Sequence, residues 1–178
     1  MKELPTRKSL RLKQYDYSRN GAYFITICTY NREHLLGHIV GADDPVRPSV
    51  TEESEIGQIA RTCWNEINNI YQNIRTDKFC IMPNHVHGII FIENGDGHVE
   101  RDAGGQAGDV GGQGRPPLHK VLQGYKSVTT RMCFQMGHQK IWQRSYHDRI
   151  IRSEAEYQKI WQYIEENPTK WEEDEHYR

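Results

Sequence analysis

Hydrophobic residues recur along this 178-residue chain with two periods, and each period predicts one kind of secondary structure. Runs rich in β-branched and aromatic residues predict strands at Ala22–Thr29, Lys78–Met82, His85–Ile92 and Ile141–Ile151. Apolar residues three or four apart predict helices at Glu52–Ile74, Leu118–Met132 and Ser153–Asn167. The elements therefore follow the order β-α-β-β-α-β, with one more helix at the end.

This order predicts an α+β chain with a ferredoxin-like fold, in which four antiparallel strands form one sheet with helices on one face. The opposite face is free for function or for the last helix. RNA-recognition modules share the order, but the chain lacks the aromatic run with which they bind RNA, which weakens that interpretation.

Short local signals set several boundaries. Pro83-Asn84 predicts a tight turn between the second and third strands. Ser153 and Glu156 form a capping box at the start of the last helix. Pro168 predicts the end of that helix, because the residue before a proline is disfavoured in a helix.

A glycine-rich stretch at 93–117 interrupts the pattern with eight glycines. It contains neither a P-loop nor a dinucleotide-binding spacing, so we interpret it as a flexible loop and not as a phosphate cradle. We expect a single domain over residues 1–178, with a basic N-terminal arm at 1–20.

The net charge of −1 hides an uneven distribution. Residues 1–20 carry six Lys or Arg and two acidic residues, and residues 115–152 carry eight Lys or Arg and one acidic residue. Residues 154–178 reverse the balance, with eight acids and three Lys or Arg. The two basic segments are consistent with one groove that binds nucleic acid, and equally with solvated surface.

The four cysteines are far apart and form no C-x-x-C pair, which favours core thiols of a cytosolic protein. The N-terminus lacks the apolar core of a signal peptide, and no apolar run has the length of a membrane span. We therefore expect a cytoplasmic protein without membrane contact.

His85 and His87 lie two residues apart in the stretch IMPNHVHGIIFIE, at the start of the third predicted strand. Their side chains should project side by side, because residues two apart in a strand point to the same face. Such a pair can hold a metal ion with a third ligand from elsewhere and open positions for substrate. Imidazole ligands usually indicate zinc or another transition metal, so the metal stays open, and surface histidines are the alternative.

Tyr163 lies at the flank of the apolar stripe of the last helix, and Asn167 follows four residues later. A phenol and a carboxamide therefore share one edge of this helix. A phenol can be a nucleophile that forms a covalent intermediate. A tyrosine at the edge of a core is the alternative.

Basic residues interleave with aromatic residues in the second basic segment. The candidate nucleic-acid contacts there are Lys126, Arg131 and Arg144, near Tyr125, Trp142 and Tyr146. This mixture fits single-stranded nucleic acid, because bases stack on aromatic rings and phosphates pair with cations. Helix surface combined with core aromatics is the alternative.

Several of these stretches together resemble one family. MPNHVHGII resembles the HUH motif (His, a hydrophobic residue, His) of single-tyrosine transposases, and WQRSYHDRIIRSEAEYQKIWQYIEENPTKW resembles the segment with their nucleophile. RKSLRLKQYDYSRNGAYFITICTYNRE and GYKSVTT resemble one branch, the REP-associated tyrosine transposases. The resemblance covers nearly the whole chain except the glycine-rich loop and the ends.

The resemblance implies a role for each candidate site residue. His85 and His87 would hold a divalent metal, Mg²⁺ or Mn²⁺, over the scissile phosphate, and Tyr163 would attack that phosphate. The products would be a 5′-phosphotyrosine link and a free 3′-hydroxyl. Asn167 stands where the last helix supplies a third metal ligand, at the place of a glutamine in related insertion-sequence transposases. The sequence names no base for the tyrosine, which is mostly protonated at neutral pH.

The family also implies a DNA partner, namely single-stranded DNA with a foldback hairpin, as in REP elements. Further expected DNA contacts lie in the N-terminal arm, at Arg7, Lys8, Arg11 and Lys13. Related transposases exchange tyrosine helices between two subunits, but we favour a monomer over a homodimer, in the bacterial cytoplasm at the nucleoid. The alternatives are a non-catalytic protein that binds hairpin DNA and a zinc-dependent hydrolase of small molecules.

Overall fold

The computed structural model describes residues 20–41, 49–93 and 118–177. The basic arm with Arg7, Lys8, Arg11 and Lys13 lies outside the described residues. Residues 94–117 of the predicted glycine-rich loop also lie outside them. Among the described residues, no helix combines the length and apolar composition that a membrane span requires.

A four-stranded antiparallel sheet forms the centre of the fold. Its strands are β1 (Gly21–Cys28), β4 (Ile74–Met82), β5 (His85–Ile92) and β6 (His147–Ile151). They lie in the order β4-β5-β1-β6, and each neighbouring pair is antiparallel. The predicted α+β class and the ferredoxin-like order of the sheet are therefore confirmed.

Helices cover both faces of this sheet. They are α1 (Glu55–Asn65), the short α2 (Ile67–Ile70), α3 (Leu118–Phe134) and α4 (Glu154–Glu166). The main core, on the side of α1 and α3, includes Ile25, Trp64, Val86, Ile90 and Leu122. A smaller core lies under α4 and includes Phe24, Ile89, Ile151, Ile160 and Ile164. The last helix therefore takes the face that the first helices leave free.

The alternation of β5 decides which face receives the histidines. Val86 and Ile90 point into the main core, whereas Ile89 points into the core under α4. His85 and His87 share the parity of Ile89, so both project towards the face of α4.

The predicted helix at Glu52–Ile74 is wrong at both ends. Glu52 belongs to a strand, and α1 begins after Ser54, whose Oγ accepts a hydrogen bond from the Gly57 amide at 3.1 Å. The helical spacing of apolar residues in the sequence continues beyond Asn65 as far as Ile74. Ile74 is buried, but as the first residue of β4 and not as part of a helix. The apolar residues of the helix and of the following strand happen to share one helical spacing, so the sequence did not separate the two elements.

A separate two-stranded hairpin was not predicted. It consists of β2 (Gly37–Val40) and β3 (Val50–Glu53). Its strands have four residues each, which is too short for a clear alternating pattern.

The predicted strand Ile141–Ile151 is extended only in part. Its second half forms β6, whereas Trp142 makes only an isolated bridge with Thr29. The carbonyls of residues 143–145 accept hydrogen bonds from the Lys126 ammonium, at 2.6, 3.1 and 3.4 Å. These carbonyls accept from a side chain of α3 and not from the backbone of a neighbouring strand, so residues 143–145 do not extend the sheet.

The last helix begins and ends as predicted, within one residue. Ser153 Oγ accepts from the Glu156 amide at 3.2 Å, and Glu156 Oε2 accepts from the Arg152 amide at 2.9 Å. Beyond Pro168, a short 3-10 helix at Trp171–Glu173 leads the chain onwards. The next residues contact the histidine face of the sheet.

Candidate metal and tyrosine site

The β4-β5 hairpin positions His85 and His87. Pro83-Asn84 form its two-residue turn, since Met82 pairs with His85. Both imidazoles are buried, and their ring centroids lie 4.3 Å apart. The predicted side-by-side arrangement is confirmed.

Hydrogen bonds at the Nδ1 atoms orient the two rings. Asn84 donates through Nδ2 to the His176 carbonyl at 2.9 Å, so its Oδ1 accepts from His85 Nδ1 at 2.8 Å. The remaining nitrogen of His85, Nε2, is buried without a hydrogen-bond partner. His87 Nδ1 lies 2.9 Å from Thr26 Oγ1. Both rings can therefore offer Nε2 to a ligand, as metal-binding histidines do when a partner holds the other nitrogen.

Tyr163 reaches this pair from α4. Its Oη lies 3.3 Å from His87 Nε2 and donates a hydrogen bond to Asp174 Oδ2 at 2.7 Å. Phe24 stacks on the His87 ring and contacts the tyrosine ring edge-on, with centroids 5.1 and 6.0 Å apart. The tyrosine is 38% exposed and lines two neighbouring cavities of about 270 and 790 Å³.

Asn167 lies one turn further along the chain, on the same edge as Tyr163. Its Nδ2 donates to Asp174 Oδ2 at 2.9 Å, and its Oδ1 is buried without a partner. The phenol of Tyr163 and the carboxamide of Asn167 therefore lie on one edge of α4, as predicted, and both donate to the same oxygen, Asp174 Oδ2.

Asp174 was missed in the sequence. Its Oδ2 lies 3.8 Å from His87 Nε2, and its Oδ1 accepts from the His176 amide at 2.6 Å. His85, His87 and Asp174 offer three ligand atoms within 4.8 Å of one another, so this buried group could hold a metal ion. The only signal was an acidic stretch, EEDE, in which nothing distinguishes Asp174 from its exposed neighbours.

The surroundings set the charges of these groups. Burial alone would raise the pKa of Asp174, but hydrogen bonds from the polar groups around it lower its pKa well below the usual range. Burial and the hydrogen bond to Asp174 raise the pKa of Tyr163 above its usual value. Burial, and then the electrostatic effect of the neighbouring His87 ring, lower the pKa of His85 well below its usual value. At neutral pH the group therefore contains a carboxylate, a protonated phenol and a neutral His85.

This donor set fits a divalent cation. Two imidazoles and a carboxylate are common ligands of transition metals, and the carboxylate also suits harder cations. The unpartnered Nε2 of His85 and Oδ1 of Asn167 are buried polar atoms whose desolvation a cation would offset.

The three predicted contacts of the second basic segment lie together in another cavity. Lys126, Arg131 and Arg144 line a cleft of about 750 Å³ between α3 and the segment before β6, with Trp142 and Tyr146. Lys126 is half-buried, and its three donor protons are directed at three backbone carbonyls. Among the three, the two arginines are the more exposed.

The fold of this chain matches that of a solved protein structure. The structure of a REP-associated tyrosine transposase bound to a REP hairpin matches 90% of this chain and 73% of its own, with a TM-score of 0.59 and 19% identity. The chain therefore has the fold of a REP-associated tyrosine transposase. A candidate transposase from Deinococcus radiodurans matches 87% of this chain and 96% of its own, with a TM-score of 0.44 and 17% identity.

Sequence similarity gives the family. An uncharacterized protein of Haemophilus influenzae is 35% identical over 174 residues, which cover 96% of this chain and 93% of that protein. The chain belongs to the same family as this protein. No protein-family model matches the chain.

Proposed function

We propose that this protein is a metal-dependent single-strand DNA transesterase of the REP-associated tyrosine transposase type. It would cut hairpin DNA of the REP type and form a 5′-phosphotyrosine intermediate. One observation carries the proposal: the Tyr163 hydroxyl lies 3.3 Å from the Nε2 atom of a buried histidine pair. A phenol next to a candidate metal site is the constellation that such a reaction needs.

The proposed step exchanges one phosphate ester for another. Tyr163 Oη forms a bond with the phosphorus, the bond from phosphorus to the 3′-oxygen breaks, and the 3′-oxygen leaves as a hydroxyl after gaining a proton. Asp174 Oδ2 is the candidate acceptor of the tyrosine proton, since it already accepts that hydrogen bond at 2.7 Å. The sequence had named no group for this role.

The charges of these groups support a role for a cation in the proposed step. With a raised pKa at Tyr163 and a lowered pKa at Asp174, the proton lies strongly on the phenol. A divalent cation held by His85, His87 and an oxygen ligand would supply the positive charge that stabilises a phenolate and polarises the phosphoryl group. Asp174 and Asn167 are the two candidates for the oxygen ligand.

We infer Mg²⁺ or Mn²⁺, because phosphate oxygens and water would complete the coordination and favour a hard cation. The proposed DNA contacts are Lys126, Arg131 and Arg144, together with Arg7, Lys8, Arg11 and Lys13 of the N-terminal arm. A monomer and a place at the bacterial nucleoid in the cytoplasm complete the proposal.

The first experiment compares two tyrosines of α4. Both Tyr163 and Tyr157 donate a hydroxyl hydrogen bond to an aspartate, but only Tyr163 lies beside the histidine pair. Each variant, Tyr163→Phe and Tyr157→Phe, is incubated with labelled hairpin oligonucleotides with single-stranded flanks and with Mg²⁺ or Mn²⁺. A denaturing gel then separates covalent DNA–protein adducts.

We expect wild type and Tyr157→Phe to form an adduct that requires metal, and Tyr163→Phe to form none while it still binds the hairpin. Hairpin binding by wild type without any adduct would contradict catalysis and support a pure binding protein. Loss of the adduct in both variants would show that the helix, and not the nucleophile, was damaged.

A further inference from the structure

Arg32 is held beside the site by an unfavourable backbone conformation. Asn31 and Arg32 have φ values of 51° and 58°, in the left-handed region. Residues other than glycine rarely adopt this region, arginine more rarely than asparagine, and it persists where the surroundings enforce it. Buried Thr29 does so here, because its Oγ1 lies 2.7 Å from the Glu33 carbonyl oxygen and 3.0 Å from the Asn84 carbonyl oxygen, and these two acceptors share its one hydroxyl proton.

The turn directs the Arg32 side chain into the cavity that contains the tyrosine. This cavity of about 790 Å³ is lined by Arg32, Tyr163, Asp174 and His176, among others. Tyr163 also lines a smaller cavity of about 270 Å³ without Arg32, so the larger cavity is the one in which a phosphate would lie beside both Tyr163 and Arg32. Arg32 is half-buried, so part of the hydration of its cation is already lost.

The guanidinium has an unusually weak partner. Arg32 donates to His176 Nδ1 at 2.7 Å, and this nitrogen must carry no proton because a guanidinium cannot accept. Among the described residues, the structure gives Arg32 no carboxylate partner. Arg149 lines the same cavity but is neutralised by Glu156 at 2.6 Å.

A phosphate oxygen would compete well for this guanidinium. A phosphate oxygen carries a negative charge that the imidazole nitrogen lacks, and a phosphate can accept two parallel hydrogen bonds from the planar guanidinium. A phosphate would therefore replace the neutral His176 nitrogen as the acceptor. The His176 ring lies 4.8 Å from the His85 ring, so this acceptor position is next to the candidate metal ligands.

We propose that Arg32 is a further catalytic residue, whose guanidinium binds a non-bridging oxygen of the scissile phosphate. The inference rests on the proposed function and adds a second cation to it. Arg32 keeps its proton throughout and stabilises the charge on the phosphoryl oxygens while Tyr163 displaces the 3′-oxygen.

The test measures adduct formation in a single turnover, on a hairpin oligonucleotide that reacts with wild type. The variants are Arg32→Gln, Arg32→Lys and His176→Ala. The control is Arg61→Gln, which removes an arginine of α1 that pairs with Glu53 of β3. Binding to the same hairpin is measured in the Tyr163→Phe background, and thermal unfolding verifies that each variant folds. If Arg32→Gln fails to fold, Arg32→Lys takes its place in the test, because lysine keeps the positive charge.

We expect Arg32→Gln to slow adduct formation about 100-fold or more, the loss typical when one such donor is removed, with a few-fold change in binding. His176→Ala and Arg61→Gln should stay within a few-fold of wild type. If Arg32 only anchors His176, His176→Ala will slow the reaction as much as Arg32→Gln, which overturns the proposal.

A neutral substrate identifies the contact itself. A methylphosphonate at the scissile position removes the charge that Arg32 is proposed to bind. Its effect should be large in wild type and much smaller in Arg32→Gln, because coupled groups give non-additive losses. If the losses from the methylphosphonate and from Arg32→Gln are fully additive, or if Arg32→Gln and Arg61→Gln react at equal rates, the proposed role of Arg32 is overturned while the proposed function stands. Absence of any adduct with wild type would instead overturn the proposed function.

Discussion

At the scale of single residues, Asp174 connects the groups of the site. Its Oδ2 accepts from Tyr163 and Asn167 and lies 3.8 Å from His87 Nε2, while its Oδ1 accepts from a backbone amide. The same carboxylate is thus available as a metal ligand and as a proton acceptor.

Asp174→Asn should weaken metal binding. The change removes the one negative charge of the three-residue group but keeps the shape of the side chain, so we expect Mn²⁺ affinity to fall at least about 10-fold. Titration of the metal-free protein with Mn²⁺, followed by calorimetry, measures this without DNA. The control is Glu172→Gln in the same acidic stretch, which is exposed. Equal affinities of both variants would exclude Asp174 as a ligand.

At the scale of elements, α1 touches the β2-β3 hairpin through a glycine. A Cβ at Gly57 would lie 2.0 Å from the Leu36 carbonyl oxygen, which is backbone and cannot move away easily. The close approach holds the start of the helix against Leu36, the residue directly before β2.

Gly57→Ala should therefore destabilise the protein, although it improves helix propensity by about 1 kcal/mol. We expect the steric cost to dominate, with a net loss of about 2 kcal/mol in the free energy of unfolding. Urea denaturation measures the change. Gln58→Ala at the adjacent, exposed position should change stability by less than about 0.5 kcal/mol. An increase in stability for Gly57→Ala would contradict the contact.

The segment before β6 depends on one side chain of α3. Lys126 is the donor to three successive carbonyls, and burial lowers its pKa. We expect Lys126→Met to leave these carbonyls without their partner, so amides of residues 143–146 should exchange hydrogen faster. Arg131→Met, on the exposed side of the same helix, should leave this exchange unchanged. Equal exchange in both variants would show that the segment is held by other contacts.

At the scale of the whole molecule, the sheet carries two cores of unequal size. The small core under α4 holds the tyrosine helix in place, with Ile164 fully buried in it. Lys78 of β4 adds an ion pair with Glu165 and lies over the Trp161 ring at 4.3 Å. The site therefore depends on how firmly α4 packs on the sheet.

Ile164→Ala should loosen α4 more than the rest of the fold. Truncation of a buried isoleucine costs about 2–5 kcal/mol, and the small core offers few other contacts to offset it. We expect faster hydrogen exchange in α4 with little change in β1 and β5. Ile90→Ala, in the main core, should instead lower the protection of the whole sheet. Uniform effects of both variants would show that the molecule unfolds as a single unit.

The sequence predicted the parts of the site that lie on single regular elements. His85 and His87 share a face because side chains alternate along a strand, and Tyr163 and Asn167 share an edge because a helix has 3.6 residues per turn. The turn at Pro83-Asn84 and the cap at Ser153 also follow from local chemistry. The sequence did not predict the β2-β3 hairpin, because its strands are too short to show a clear pattern. It also did not predict the ends of α1, because the apolar pattern of the helix is continuous with that of the next element.

Tertiary structure alone decided which distant residues meet these side chains. Asp174 is one acid among several after α4, and only the path of the chain beyond the helix buries it against the histidines. Arg32 follows β1, and only a left-handed turn fixed by Thr29 points it into the same cavity. Periodicity describes neighbours within an element, whereas these contacts span 11 residues in one case and 144 in the other. Their formation depends on packing of the whole chain, which no local pattern contains.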